Sequence, residues 1–337
     1  MYKSLARIGI VIIGRNEGER LEACLRSVAG QGAAVYVDSG STDGSVALAR
    51  SLGVAVVELD TDVPFTAARA RNAGLARLLR DHPEAEFVQM VDGDCAVHPE
   101  WLSTAIADMA DDPRRAVVFG RRRERDPGRN AYHRAIDDEW SVPAGPASAC
   151  GGDALFRVAA LREVGGYNDA LIAGEEPEMC LRLRARGWRV WSNGAEMTAH
   201  DVAMTHLRQW WHRARRTGFG IAALIALHGK DADRSWMRLQ QSALLWSSLM
   251  LLAIPGLVLS LVGTGAPLRL LALAPALAVA AQVVRLARSK AAAMGWRGGA
   301  QWALLIMIAK LAQARGWLQH RVQQRRGTRA TLIEYKA

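Results

Sequence analysis

From Ile8 to Phe119, short runs of β-branched and apolar residues alternate with segments whose apolar positions recur every three or four residues. The runs Ile8–Ile13, Ala34–Val37, Val54–Leu59, Phe87–Val91 and Ala116–Phe119 predict strands, and Glu17–Ala29, Ser45–Leu52, Thr66–Arg80 and Pro99–Ala110 predict the helices between them. Such a βαβα order predicts an α/β fold with a mostly parallel central sheet and helices on both faces. Ligands of these sheets bind beyond the carboxyl ends of the strands. The polar turns Gly14-Arg15-Asn16-Glu17, Asp38-Ser39-Gly40-Ser41-Thr42-Asp43-Gly44 and Asp92-Gly93-Asp94 all fall at such ends, so they are expected to converge on one crevice.

Beyond Gly120 the pattern loosens, with loops expected around Pro127, Pro143 to Pro146 and Gly151-Gly152. A helix is predicted to start at Pro177, which suits a first helical position, and to stop at Gly187. A strand is expected over Val190–Asn193. The stretch His206 to Arg216 interleaves Trp210 and Trp211 with four arginines, a combination suited to a lipid headgroup region. No charged residue occurs from Leu239 to Leu268, a length that can span a bilayer. Leu270 to Val284 is shorter, with Arg269 and Arg285 placed to snorkel. Ala300 to Ala309, bracketed by Trp302 and Trp317, reads as interfacial or re-entrant, with a third span as the alternative. This divides the chain into a catalytic domain over 1–230 and membrane-anchoring helices with a basic tail over 231–337.

Charge sharpens that division. The formal net charge is +10, and residues 285 to 337 hold eleven Lys or Arg against one acid, Glu334. A basic tail after apolar segments suits anionic lipid, and the positive-inside rule puts it in the cytoplasm. Five Phe, five Tyr and no nucleic-acid motif argue against a nucleic-acid partner. Cys24, Cys95, Cys150 and Cys180 are too widely spaced for a metal or disulfide framework, and reduced thiols are expected. The run Ile8–Ile13 is too brief for a signal peptide's apolar core, so a cytoplasmic catalytic part is expected.

Asp92-Gly93-Asp94 follows an apolar strand, and residues i and i+2 of an extended chain point the same way. Two carboxylates there, with a glycine that permits close approach, suit Mg²⁺ or Mn²⁺ and a phosphate-bearing ligand. Together with Ile10 to Glu17 and Val37 to Ser45, these residues resemble glycosyltransferase family 2, the nucleotide-sugar enzymes of GT-A (Rossmann-like) fold, over roughly residues 8 to 220. The resemblance implies the following roles. Asp38 contacts the nucleotide base or ribose, with Arg15 and Glu17 in the loop beside it. Arg71 and Asn72 lie near the nucleotide. Asp94 ligates the cation, with Asp92 holding the ribose or sugar or sharing the ion. Gly152 lets the backbone approach the transferred sugar, and Asp153 holds a sugar hydroxyl. The catalytic base is Glu176 or Glu175, at a helix start whose dipole favours the ionised form. His200 reaches the metal or diphosphate, with His206 and His212 as competitors. The run Arg121-Arg122-Arg123 reads as a solvated edge.

The implied protein is an inverting glycosyltransferase of cell-surface polysaccharide or glycolipid synthesis. Its donor is UDP- or GDP-linked, its acceptor lipid-linked or a saccharide, and its catalytic domain cytoplasmic at a bacterial inner membrane. A processive polysaccharide synthase is the nearer rival, but Gln209-Trp210-Trp211-His212-Arg213 matches its Gln-x-x-Arg-Trp motif poorly. The other is a non-catalytic membrane scaffold that keeps a nucleotide-binding fold.

Overall fold

A computed structural model describes residues 7–261 and 266–327, apart from the side chains of 266–271. The first six residues, residues 262–265 of the charge-free stretch, the Arg269 side chain and the tail with Glu334 therefore lie outside the described residues. The chain forms two compact units. One comprises residues up to Pro127 with Ile136–Val202, the other Gly128–Ala135 with residues from Ala203 onward.

The first unit is built on β1 (Ile8–Gly14), β2 (Ala33–Asp38), β3 (Ala55–Glu58) and β4 (Phe87–Asp92), which lie parallel in the order β3-β2-β1-β4. The near-continuous apolar run of β1 is what a parallel strand covered on both faces requires. Between these strands run α1 (Glu19–Val28), α2 (Ser45–Ser51) and α3 (Ala67–Asp81). In α1, Leu21, Cys24, Leu25 and Val28 form the buried stripe at helical spacing. In α3, Thr66 caps the N-terminus by accepting the Arg69 amide at 3.0 Å. Gly74 brings α3 down onto β1, where a Cβ would lie 2.4 Å from Val11.

Register then places the site. Gly14 of β1 pairs with Asp38 of β2, and Ile13 pairs with Asp92 of β4, so the three strands end level. The sheet continues with β5 (Cys95–Val97), α4 (Trp101–Asp111), β6 (Arg115–Glu124), α5 (Ala131–Glu139), β7 (Gly145–Ala147) and β8 (Ala154–Arg157). After α6 (Val158–Val164) and α7 (Glu175–Ala185) comes β9 (Arg189–His200). The whole sheet is mixed: β8 runs antiparallel between β4 and β6, while β6 and β9 are parallel. Trp101 of α4 is fully buried and satisfies its indole N–H on Gln89 Oε1 at 2.8 Å.

Three elements differ from expectation. β6 runs past Phe119 to Glu124, and β9 runs past Asn193 to His200, because each supplies the other's ladder through Arg122–Thr198 and Glu124–His200. The helix expected from Pro177 begins at Glu175. Proline is tolerated in that first turn because its missing N–H would have no intrahelical partner.

In the second unit, α8 (Leu207–His228), α9 (Arg234–Leu261) and α10 (Ala266–Arg326) pack together, with α10 broken at Gly295, φ 70°. Crossings are close at glycines: a Cβ on Gly218 would meet Gln313 backbone at 2.1 Å, and one on Gly316 the Arg215 carbonyl at 2.1 Å. Trp210, expected at a headgroup level, is instead buried and donates its indole N–H to the Leu305 carbonyl at 2.9 Å. The run Ala300 to Ala309 lies within the second arm of α10, where Ala303, Leu305, Met307 and Ala309 are buried. Among the described residues two helices, Arg234–Leu261 and Ala272–Arg326, are long and apolar enough to cross a membrane.

Candidate active site

The level ends of β1, β2 and β4 are laced together by their loops. Ser39 donates its amide to the Gly14 carbonyl at 3.0 Å, and Asn16, at φ 54°, accepts the Thr42 amide at 2.7 Å. Asp38 is buried, and its carboxylate accepts the Tyr36 hydroxyl and the Gly40 and Ser41 amides at 2.8 to 2.9 Å. Its loop is thereby given a fixed shape at the strand end. Arg15 is exposed, with its guanidinium 5.4 Å from the Phe65 ring centroid, and buried Glu17 pairs with Arg20 at 2.9 Å.

Two buried guanidiniums organise the rest. Arg71, on α3, reaches Asp92 at 2.8 Å, Glu176 at 2.7 Å and Glu175 at 3.3 Å, and lies against the Tyr167 ring. Its carboxylate neighbours outweigh the cost of burial, so the group stays protonated. Arg122, on β6, reaches Asp92 at 3.1 Å and Asp94 and Asp153 each at 3.6 Å, with its other face toward the Trp140 ring. The expected solvated edge is therefore wrong at its middle residue. Strand alternation turns Arg122 inward with Val118, Gly120 and Glu124, while Arg123 stays exposed.

Of the residues singled out from sequence, Arg71, Asp92, Asp94, Asp153, Glu175, Glu176 and His200 come together around these two cations. Asp153 is turned to framework bonds, accepting the Asp92 amide at 2.9 Å and the Thr198 hydroxyl at 2.7 Å. Asn72 is drawn elsewhere: its amide group bonds the Tyr167 backbone at both its N–H and its carbonyl, and the Asp169 carboxylate. A Cβ on Gly152 would lie 2.6 Å from the Arg71 guanidinium and 2.7 Å from Asp92, so a side chain there would displace these two groups. His206 and His212 belong to the second unit, not to this cluster. Sequence reading missed Arg122, Glu124 and Trp140. The first two carried no signal in the sequence, because three arginines followed by a glutamate show no alternation of apolar and polar positions.

Glu175 and Glu176 open α7, and both are buried. Burial first, and then the charge of Glu175, push the Glu176 carboxyl up to about 7, against the pull of Arg71. At the other edge, His200 Nε2 lies 3.2 Å from Asp94 Oδ2, while Nδ1 bonds Glu124. Burial and Arg122 lower the imidazole pKa, but Asp94 and Glu124 raise it and prevail. Five carboxyl groups, of Asp92, Asp94, Asp153, Glu175 and Glu176, thus surround two guanidiniums, an excess of acidic groups that a divalent cation would offset.

The donor set fits a divalent ion. Asp94, Cys95 and His200 converge, with ligand atoms within 4.8 Å of one another. Burial holds the Cys95 thiol well above its ordinary pKa, which leaves the carboxylate and the imidazole as the ligands suited to a hard cation.

The chain matches Glycosyl transferase family 2 over residues 9–164 and Glycosyl transferase family group 2 over residues 87–284. A pre-mycofactocin glycosyltransferase of Mycobacterium tuberculosis is 30% identical over 172 residues, 48% of this chain and 35% of that protein. The glycosyltransferase AglE of Haloferax volcanii is 27% identical over 119 residues, 33% of this chain and 38% of that protein. The chain thus spans about a third of the length of the curated relatives it matches. Among solved structures, the mannosyltransferase PcManGT of Pyrobaculum calidifontis, in complex with GDP-Man and Mn²⁺, is 18% identical with a TM-score of 0.57. The likeness covers 91% of this chain and 86% of that one, and is one of fold.

Proposed function

We propose a reaction for this chain on the premise that it belongs to glycosyl transferase family 2. It is a glycosyltransferase of GT-A fold acting on nucleotide sugars. The finer reading is an inverting transfer from a UDP- or GDP-linked donor to a lipid-linked or saccharide acceptor, in the synthesis of a cell-surface polysaccharide or glycolipid. One observation carries it. The Arg71 guanidinium holds Asp92 at the strand tip and Glu176 at the start of α7, at 2.8 and 2.7 Å, so a donor-side carboxylate and a candidate base share one anchor.

In this reading the donor's diphosphate lies at the ends of β1, β2 and β4, with Arg15 and Glu17 on the β1 loop and Asp38 shaping the β2 loop. Gly152 gives the sugar room beside Asp92, and Asp153 holds the Asp92 backbone in place. Glu176 takes the proton of the acceptor hydroxyl while that oxygen attacks the anomeric carbon and the bond to the diphosphate breaks. Attack opposite the leaving group inverts the anomeric centre, by the same geometry as in inverting hydrolysis. Glu176 is favoured over Glu175 because its side chain is the more exposed of the two and the closer to Arg71. Asp94 and His200 would hold Mg²⁺ or Mn²⁺, with Asp92 beside them. Such an ion neutralises charge on the departing diphosphate as a Lewis acid. The helices Arg234–Leu261 and Ala272–Arg326 anchor the protein in the bacterial inner membrane, with the catalytic unit on the cytoplasmic side.

The test uses the full chain in detergent, a panel of UDP- and GDP-sugars, and release of the nucleoside diphosphate with and without Mn²⁺. Release that needs the metal, falls by at least 100-fold in Asp94→Ala and in Glu176→Gln, and survives better in Glu175→Gln is the expected result. Binding of donors without turnover across the panel would mean a scaffold. Full activity in both glutamate variants would remove the assigned base.

A further inference from the structure

Glu124 closes β6 with a carboxylate buried to 2% exposure. A carboxylate taken out of water at that depth is costly unless it is paired and hydrogen-bonded. Its two oxygens have distinct partners: Oε1 bonds His200 Nδ1, and Oε2 accepts the Val202 amide at 3.2 Å. The sheet fixes this contact, since Glu124 and His200 are register partners across β6 and β9, and the Arg125 amide bonds the His200 carbonyl at 2.8 Å. On the other side, β5 pairs Cys95 with His200, and the Asp201 amide bonds the Asp94 carbonyl at 3.1 Å. The imidazole is therefore held at both flanks, with Nε2 aimed at Asp94.

A neutral imidazole carries its proton on one nitrogen, and the bond made by the other nitrogen selects which. With Nδ1–H given to a carboxylate, Nε2 is the nitrogen that meets Asp94, 3.2 Å away, and it offers its lone pair once an ion displaces its proton. Two such atoms converging on one point make the geometry of a ligand pair. We propose that Glu124 is a positioning residue for the cation site: it fixes the tautomer and ring plane of His200, so that Nε2 and Asp94 present a preorganised imidazole–carboxylate pair to a divalent ion. This rests on reading Asp94 and His200 as cation ligands. Carboxylate partners of ligating histidines act in this way in metal proteins generally, and their loss typically weakens binding by about 10- to 100-fold.

The test titrates the full chain in detergent with Mn²⁺ alone, read by electron paramagnetic resonance of the free ion. Asp94→Ala serves as the reference for losing a ligand. Glu124→Ala is expected to weaken Mn²⁺ binding by about 10- to 100-fold and to lose the spin-echo modulation from ¹⁵N-labelled imidazole. Glu124→Gln keeps an oxygen able to accept Nδ1–H, so it should bind Mn²⁺ more tightly than Glu124→Ala and retain the modulation. It also serves where the alanine variant fails to fold. Wild-type affinity in both Glu124 variants, with Asp94→Ala weakened, overturns the role of Glu124 and leaves the cation site standing. Wild-type affinity in Asp94→Ala as well overturns the cation site, and this inference with it.

Discussion

At Glu176 two influences oppose each other. The start of a helix favours a charged carboxylate by roughly 0.3–1 kcal/mol when exposed, and from sequence that alone predicts an ionised base. In the folded protein the side chain is buried beside Glu175, and these effects prevail, leaving its pKa at about 7. A raised pKa in an acid means that the protonated form persists to higher pH. Below about 7 the carboxyl is neutral and cannot take the acceptor's proton, so kcat/KM should fall about tenfold per pH unit on the acid side and level off above. The pH–rate profile measures this, and a limb near the ordinary glutamate value of about 4.3 would remove Glu176 as the titrating base. Arg122 makes a related point about legibility. In a row of three arginines each looks solvated, and only the pairing of β6 with β9 decides which one turns inward.

At the scale of elements, the parallel strands were legible because each is a compact apolar run between turn residues. The level ends that place Gly14, Asp38 and Asp92 side by side follow from register, which no single strand reveals. β8 was hidden for a different reason: Ala154–Arg157 is too short to show a period, and its antiparallel place depends on β4 and β6 together. α3 was legible to within one residue at each end, though not the capping role of Thr66. Thr66 accepts the Arg69 amide at 3.0 Å and donates its hydroxyl to the Asp169 carbonyl at 3.2 Å, tying the helix that carries Arg71 to the loop held by Asn72. Thr66→Ala removes both bonds and should cost about 1–2 kcal/mol. Thermal unfolding in detergent should show a Tm lower by a few degrees, with donor hydrolysis at low temperature little changed. An unchanged Tm would mean that the helix start is held by other contacts.

The whole molecule carries a second requirement that the catalytic unit does not explain. Along Arg234–Leu261 the large residues Leu245, Leu251, Leu252, Ile254, Leu257 and Val258 are exposed, with Ile254 at 66%, and no charged residue interrupts them. Apolar surface on that scale is unfavourable in water by about 25 cal/mol per Å² and is relieved by lipid or by another apolar surface. Glycine crossings at Gly218, Gly256 and Gly316 bring the helix backbones together in the way bilayer helices pack where no hydrophobic force draws them. Two modes of attachment then give opposite results. If the arginines of α8 and of the end of α10 merely adsorb to anionic headgroups, high salt screens them and releases the protein. If the helices Arg234–Leu261 and Ala272–Arg326 cross the bilayer, salt and alkaline washing leave the chain in the membrane pellet and only detergent extracts it. The expected outcome is retention through both washes, followed by metal-dependent glycosyl transfer in the detergent extract. Release by salt alone would place the helices at the surface and shift the expected acceptor from a lipid-linked one to a soluble saccharide.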